Sequence, residues 1–340
     1  MRRRLASLPL AALVLAVAVS PGFARSTVAR SWAAPQIATV VDAGLMAPSV
    51  DAFRPNDPLT ATELAVVVAS LGGAVAVDDP DRPVTMRELD AQLVTIVGLR
   101  PVARDIRLAA VEAGLRPTPW LGTETIARML ELRVNHVRTE EELELQVSQP
   151  ATRAEAAYSI ARVLTLEDPE VEAVRNAAEG FALPSLTEWQ GAVLARALRL
   201  VGSPYVWAGT SERPQPLLGE EKPGGFDCSG FVWRVYKLEP FAGAPALAEV
   251  LQGRTSYEMS GEVPRSARIT RDLLEPGDVV FFGPSGSRSR PAEVGHMGIY
   301  LGNGWIAHSS RFGTTLTPMT GWYETTFAWG RRPLAEAGVG

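Results

Sequence analysis

The 340-residue sequence predicts a multidomain chain, with an all-α helical repeat module followed by an α+β domain built on an antiparallel sheet. Three observations lead there. Thr-x-x-Glu capping boxes recur three times in the first half, each ahead of an Ala/Val/Leu-rich run. The single cysteine, Cys228, stands in Phe226-Asp227-Cys228-Ser229-Gly230, directly before the apolar run Phe231, Val232, Val235. Further on, Met297 to Leu301 and Trp305 to His308 alternate like strands around Gly302-Asn303-Gly304, which supplies the positive-φ residues of a tight hairpin.

Taken in order, Arg2-Arg3-Arg4, the apolar run Leu8 to Val19 and the small residues up to Ala24 predict a secretory signal over 1–24. The run is short for a membrane span, which needs about 20 residues. The mature chain is therefore expected outside the cytoplasmic membrane, without stable membrane insertion; an uncleaved N-terminal anchor is the alternative. Residues 25–170 form the helical part. Its boxes are Thr60 to Glu63, Thr85 to Glu88 and Thr152 to Glu155, opening helices predicted to end near Leu71, Val97 and Leu164. Upstream helices ending in Ala43-Gly44-Leu45 and Ala113-Gly114-Leu115 complete helical hairpins. Residues 171–184 read as a linker, and 185–337 as the second domain, entered by an amphipathic helix from about Leu186 to Val201 with a box at Ser185 and Glu188.

Cys228 alone reads equally well as a small buried hydrophobe and as a nucleophile. Asp227 is a good N-cap, which puts the thiol in the first helical turn, where dipole and backbone N–H groups favour the thiolate. The histidines shift the balance. There are three, and while His136 is most simply a structural or surface residue, His296 and His308 fall at one end of the predicted hairpin. A thiol, an imidazole to take its proton and a third polar group to orient that imidazole are the parts of a cysteine peptidase. Zinc is the weaker alternative, because one Cys and two His lack the paired spacing of structural sites. No metal or cofactor is expected. A net charge of −5 offers no basic field for nucleic acid.

From about Ser185 to Pro333 the sequence resembles the NlpC-type cell-wall cysteine peptidases. The resemblance rests on five blocks in order: the amphipathic helix, Gly202-Ser203-Pro204-Tyr205-Val206-Trp207-Ala208-Gly209, Phe226 to Phe231, Pro276-Gly277-Asp278 with the strand after it, and Gly295-His296-Met297-Gly298-Ile299-Tyr300. It implies a papain-like domain in which a Cys-bearing helix packs on the sheet. Cys228 would be the nucleophile, His296 the general base and His308 the residue that orients it. The Cys228 N–H and Tyr205 would stabilise the oxyanion, and Asp227 and Ser229 would grip a substrate amine, Asp227 also serving as N-cap. The implied function is a secreted peptidoglycan hydrolase acting on stem peptides, most often between γ-D-glutamyl and a diamino acid. An amidase or acyltransferase with the same triad, or a non-catalytic wall-binding protein, are the alternatives.

Two departures stand out. Ala208 replaces a glycine of the usual pair, and the proline-rich Thr210 to Gly225 is a long irregular loop over the cleft. Trp207 is expected to pack under its loop, and Arg288 and Arg290 to be solvated. The first half resembles S-layer homology (SLH) repeats, which implies binding of a secondary cell-wall polymer. Only Thr152-Arg153-Ala154-Glu155 keeps the full signature, so Arg153 is the candidate polymer contact, and a helical scaffold or spacer remains an equal reading.

Overall fold

The computed structural model describes residue 28, residues 31–135 and residues 144–340; the expected signal segment 1–24 and His136 lie outside them. The first half is helical: α1 (Ala34–Asp42), α2 (Ala61–Ser70), α3 (Met86–Ile96), α4 (Arg100–Glu112), α5 (Leu121–Met129), α6 (Arg153–Thr165) and α7 (Asp168–Glu179). The predicted starts open α2, α3 and α6, the first two with both arms of the capping box in place and the third capped by Thr152. Glu63 accepts the Thr60 N–H at 3.0 Å and Glu88 the Thr85 N–H at 2.8 Å, while Thr152 Oγ1 accepts the Glu155 N–H at 3.2 Å.

Those three helix starts, unevenly spaced in sequence, meet in a closed ring. The Leu59 N–H donates to Ala151 O at 2.8 Å, the Ala151 N–H to Val84 O at 2.7 Å, and the Val84 N–H to Leu59 O at 2.9 Å. One layer on, Ala61 donates to Arg82 O, Met86 to Gln149 O and Arg153 to Asp57 O, a second ring that runs in the opposite cyclic sense. The ring satisfies backbone groups that helix starts leave without partners, and it gives the module a pseudo-threefold centre.

Arg153 is placed differently from the expected polymer contact. Its side chain is buried, with Nε donating to Phe53 O at 2.7 Å, Nη2 donating to Met46 O and Nη1 paired with Glu63. The guanidinium also lies 4.8 Å from the Phe53 ring centroid. A fork with all its faces occupied inside the module has none left for a polymer.

Two boundary expectations change. The linker 171–184 is largely helical, since it contains most of α7, whose start is closed by a Glu167/Glu170 box. The helix that enters the second domain is α8 (Glu188–Arg199), capped by Thr187 with Gln190 rather than by Ser185 with Glu188.

After α8, the segment expected to be irregular folds into paired strands. β1 (Thr210–Ser211) pairs with β4 (Gly225–Phe226), and inside them β2 (Gln215–Leu217) and β3 (Glu220–Lys222) form a hairpin. Its turn uses positive φ at both Leu218 and Gly219, the backbone a two-residue hairpin needs. Then come α9 (Cys228–Tyr236), α10 (Leu247–Val250) and α11 (Ser256–Gly261). The sheet follows, with β5 (Val279–Phe282), β6 (His296–Gly302), β7 (Trp305–Ser310), β8 (Gly313–Pro318), α12 (Trp322–Thr326), β9 (Phe327–Arg331) and α13 (Pro333–Glu336). Its order is β8-β7-β6-β5-β9, antiparallel throughout, and α9 packs on β6 and β7.

One apolar core runs from the helices into the sheet, from Val28 to Leu334. Where α5 meets β8, five charged side chains are fully buried: Asp90, Glu124, Arg128, Arg133 and Glu144. Arg128 reaches across this contact, donating to Gly202 O at 2.8 Å and to Phe312 O. Among the described residues, no helix is long and apolar enough to cross a membrane.

Candidate functional site

Cys228 occupies the first position of α9 because Asp227 caps that helix, accepting the N–H of Gly230. The turn is clamped to the Gly202–Gly209 loop. A Cβ on Gly230 would lie 1.8 Å from Gly209 O, so no other residue fits there. Ala208, at the usual glycine position, keeps the left-handed bend with φ of +62°. That bend points its N–H at Asp227 Oδ2, 3.0 Å away. From the sheet side, Ser309 Oγ donates to Phe226 O at 2.7 Å and ties β7 to the residues just before Cys228.

The hairpin delivers both histidines. The strands and the Gly302-Asn303-Gly304 turn form as the sequence predicts, with Asn303 and Gly304 at positive φ. His296 opens β6 and His308 lies in β7, and His296 Nε2 is 3.0 Å from His308 Nδ1. Gly298 makes room for this, since a Cβ there would approach His308 Cβ to 3.0 Å. On its far side, His308 Nε2 meets Thr317 Oγ1 at 3.0 Å and the Tyr323 hydroxyl at 3.3 Å.

Burial dominates the electrostatics. It pushes the Cys228 thiol up to about 12, helped by the Asp227 carboxylate, although the N–H groups of Met297, Ser229 and Cys228 itself pull the other way. The helix start therefore favours the thiolate as expected, but the desolvation cost is larger. Burial lowers His296 to about 4 and takes His308 well below the usual histidine range, with His296 adding to the latter. At neutral pH the resting site is a thiol beside two neutral imidazoles. Tyr205, raised by burial and by the nearby Cys228, stays a neutral hydroxyl.

Cys228, His296, Tyr205, Asp227 and Ser229 line one cleft of about 1110 Å³. The cleft lies between α9, the start of β6 and the end of β7. Its rim is apolar: Trp207 is 72% exposed, not packed under its loop, and Leu218 at the tip of the β2–β3 hairpin is 83% exposed. Arg290 is solvated and pairs with Glu293, and Arg288 is exposed.

Sequence reasoning missed three contributors. Arg254, just before α11, donates to Ser229 Oγ at 2.7 Å and Ala208 O at 2.8 Å and lies 3.4 Å from Asp227 Oδ1. Ser229 Oγ also donates to Asp227 Oδ1 at 2.9 Å, so both residues expected to grip an amine are already engaged within the chain. Thr317 and Tyr323, the partners of His308, carry no local signal; only the register of β7 with β8 would have found Thr317. Among the described residues no group of three or more His, Cys, Asp or Glu is placed to hold a metal ion.

Residues 202–332 match the NlpC/P60 family. The murein DD-endopeptidase MepH of Escherichia coli is 32% identical over 144 residues, 41% of this chain and 45% of that protein. The peptidoglycan endopeptidase RipA of Mycobacterium tuberculosis is 30% identical over 175 residues, 48% of this chain and 33% of its own length. The chain thus spans less than half the length of these relatives. Among solved structures, the peptidoglycan hydrolase RipB of M. tuberculosis is similar at 23% identity, covering 46% of this chain and 75% of that one, with a TM-score of 0.32.

Proposed function

With residues 202–332 forming an NlpC/P60 domain, we propose that the chain is a cysteine peptidase that hydrolyses amide bonds in peptidoglycan stem peptides. The observation that carries this reading is the 3.0 Å contact of His296 Nε2 with His308 Nδ1, His296 lining the cleft that also holds Cys228. It commits one nitrogen of His296 and leaves Nδ1 for the thiol. The Cys228 sulfur attacks the scissile carbonyl as Nδ1 takes its proton, so the thiolate forms only as the S–C bond forms. Collapse breaks the C–N bond, and the imidazolium returns the proton to the leaving amine. Water, deprotonated by the same nitrogen, then releases the acyl group. The Cys228 N–H and the neutral Tyr205 hydroxyl are assigned to the oxyanion.

The bond proposed is that between γ-D-glutamyl and a diamino acid, and the place of action outside the cytoplasmic membrane, after export directed by 1–24. Asp227 and Ser229 are assigned to capping and to Arg254, which a substrate amine would have to displace. For the helical half we propose a scaffold fused to the catalytic core. The shared core, the internal use of Arg153 and the reach of Arg128 support that role. The ring of capping boxes favours an SLH-like descent for the module, with polymer binding as its second reading. Purified full-length protein should release new amines from peptidoglycan, and Cys228→Ala should release none; an active Cys228→Ala variant would overturn the proposal.

A further inference from the structure

We propose that Thr317 and Tyr323 are positioning residues that hold His308 in the tautomer protonated on Nε2. This rests on the peptidase reading above and deepens it. A neutral histidine carries one N–H, so the pair His296 and His308 can be arranged in two ways across their 3.0 Å contact. If His308 held its proton on Nδ1, it would donate to His296 Nε2. The His296 proton would then sit on Nδ1, leaving no lone pair there to take a thiol proton. If His308 holds its proton on Nε2, its Nδ1 accepts from His296 Nε2, and His296 Nδ1 presents the lone pair that takes the thiol proton. Only the second arrangement is a base.

The surroundings of His308 Nε2 select it. Two hydroxyl oxygens converge on this one nitrogen, Thr317 Oγ1 at 3.0 Å and the Tyr323 hydroxyl at 3.3 Å. A ring lone pair accepts from one hydroxyl and sets the second oxygen against it, whereas an N–H can be shared between two oxygens. Both hydroxyl hydrogens can then turn outward into a cavity of about 300 Å³ whose lining includes Thr315, Thr320 and Ser310.

The two residues come from separate elements, so the ring is fixed from two directions. Thr315 pairs with His308 across the β7–β8 ladder, which puts Thr317 on the same face as its diagonal neighbour. Tyr323, on α12, sets its ring 5.1 Å from the His308 ring centroid. Burial raises the Tyr323 phenol, so it stays a neutral hydroxyl. The charged groups lining this cavity are Arg128, bound to Glu144 and Gly202 O, and Glu131. The orienting residue is thus steered by hydroxyls without a carboxylate, and the imidazolium of His296 gains no anion that would trap it.

The test uses the full chain with Thr317→Val, Tyr323→Phe, the double variant and Thr317→Ser. The double variant should lose about 100-fold in kcat and each single one about 10-fold, with KM and melting temperature little changed. Thr317→Ser should restore the wild-type rate. Long-range proton–nitrogen correlation spectra should show His308 protonated on Nε2 in the wild type and a tautomer mixture in the double variant. That readout needs no substrate, so it stands even if peptidoglycan proves not to be hydrolysed. A wild-type His308 protonated on Nδ1, a double variant with wild-type kcat, or a loss of kcat with the tautomer unchanged would each overturn the proposal.

Discussion

The cluster where α5 meets β8 and the cluster at the Cys228 cleft both take ionisable side chains out of water, and they settle the cost in opposite ways. At the first, Arg128 and Arg133 are set against Asp90, Glu124 and Glu144, so charge stays inside because it is paired. Three acids face two arginines, and the excess falls on Glu124. Burial, with the Asp90 charge adding to it, pushes Glu124 up to about 8, and neither of its oxygens has a hydrogen-bond partner among the described residues. At the second, His308 is buried and Cys228 and His296 are half-buried, with no opposite charge in the group, and loss of water drives all three neutral. Paired charges fix a structure, because moving one strands the other. Neutral groups joined by hydrogen bonds leave a proton free to move when substrate arrives. The difference separates a clamp from a reaction site.

Substitutions should break the two clusters differently. In the cleft, His296→Ala should reduce peptidoglycan hydrolysis by about 10³-fold or more, since it removes both proton transfers. Its melting temperature should stay close to wild type, because no charged partner is left stranded; a large drop in stability would make His296 part of a structural cluster. At the clamp, Arg128→Met should do the reverse and destabilise the fold by about 3 to 5 kcal/mol, as three buried acids are left facing Arg133 alone. Denaturant unfolding of that variant checks this.

The clamp should also respond to pH. The folded state holds a proton on Glu124 up to about 8, whereas the unfolded chain releases it near 4.5. Stability should therefore fall as pH rises from about 5 to about 8 and level off above that. Glu124→Gln should flatten this slope and melt higher than wild type at the alkaline end, as melting curves across that range would show. The smallest effect is expected at Ala208, whose φ of +62° suits glycine. Ala208→Gly should raise stability by up to about 1 kcal/mol, the relief of strain being offset by the freer unfolded chain. Its denaturant midpoint checks this.

How far these regions were legible in the sequence follows from how local their determinants are. The three Thr-x-x-Glu helix starts of the first half, the Gly302-Asn303-Gly304 turn and the Cys228 helix start each depend on neighbours within a few residues, and they formed where the sequence placed them, whereas the box expected at Ser185 gave way to Thr187 and Gln190 two residues on. The ring that joins Leu59, Val84 and Ala151 depends on contacts between segments far apart in the chain, so the boxes looked merely uneven. Arg254 and Tyr323 are ordinary polar residues until the fold carries them to Asp227 and His308. The pull of the helix start on the Cys228 proton is visible in sequence, and the burial that outweighs it is not. Prolines between Thr210 and Gly225 hid a hairpin whose turn rests on Leu218 and Gly219.

The rate at which iodoacetamide alkylates Cys228, followed against pH in the full-length protein without substrate, tests the central claim most directly. A thiol held up to about 12 beside a histidine held down to about 4 predicts slow alkylation at neutral pH and a rate still climbing above pH ~9, with no plateau before it. A plateau already reached at neutral pH, with an apparent pKa below ~7, would mean that the site rests as a thiolate and imidazolium pair, and would contradict the account.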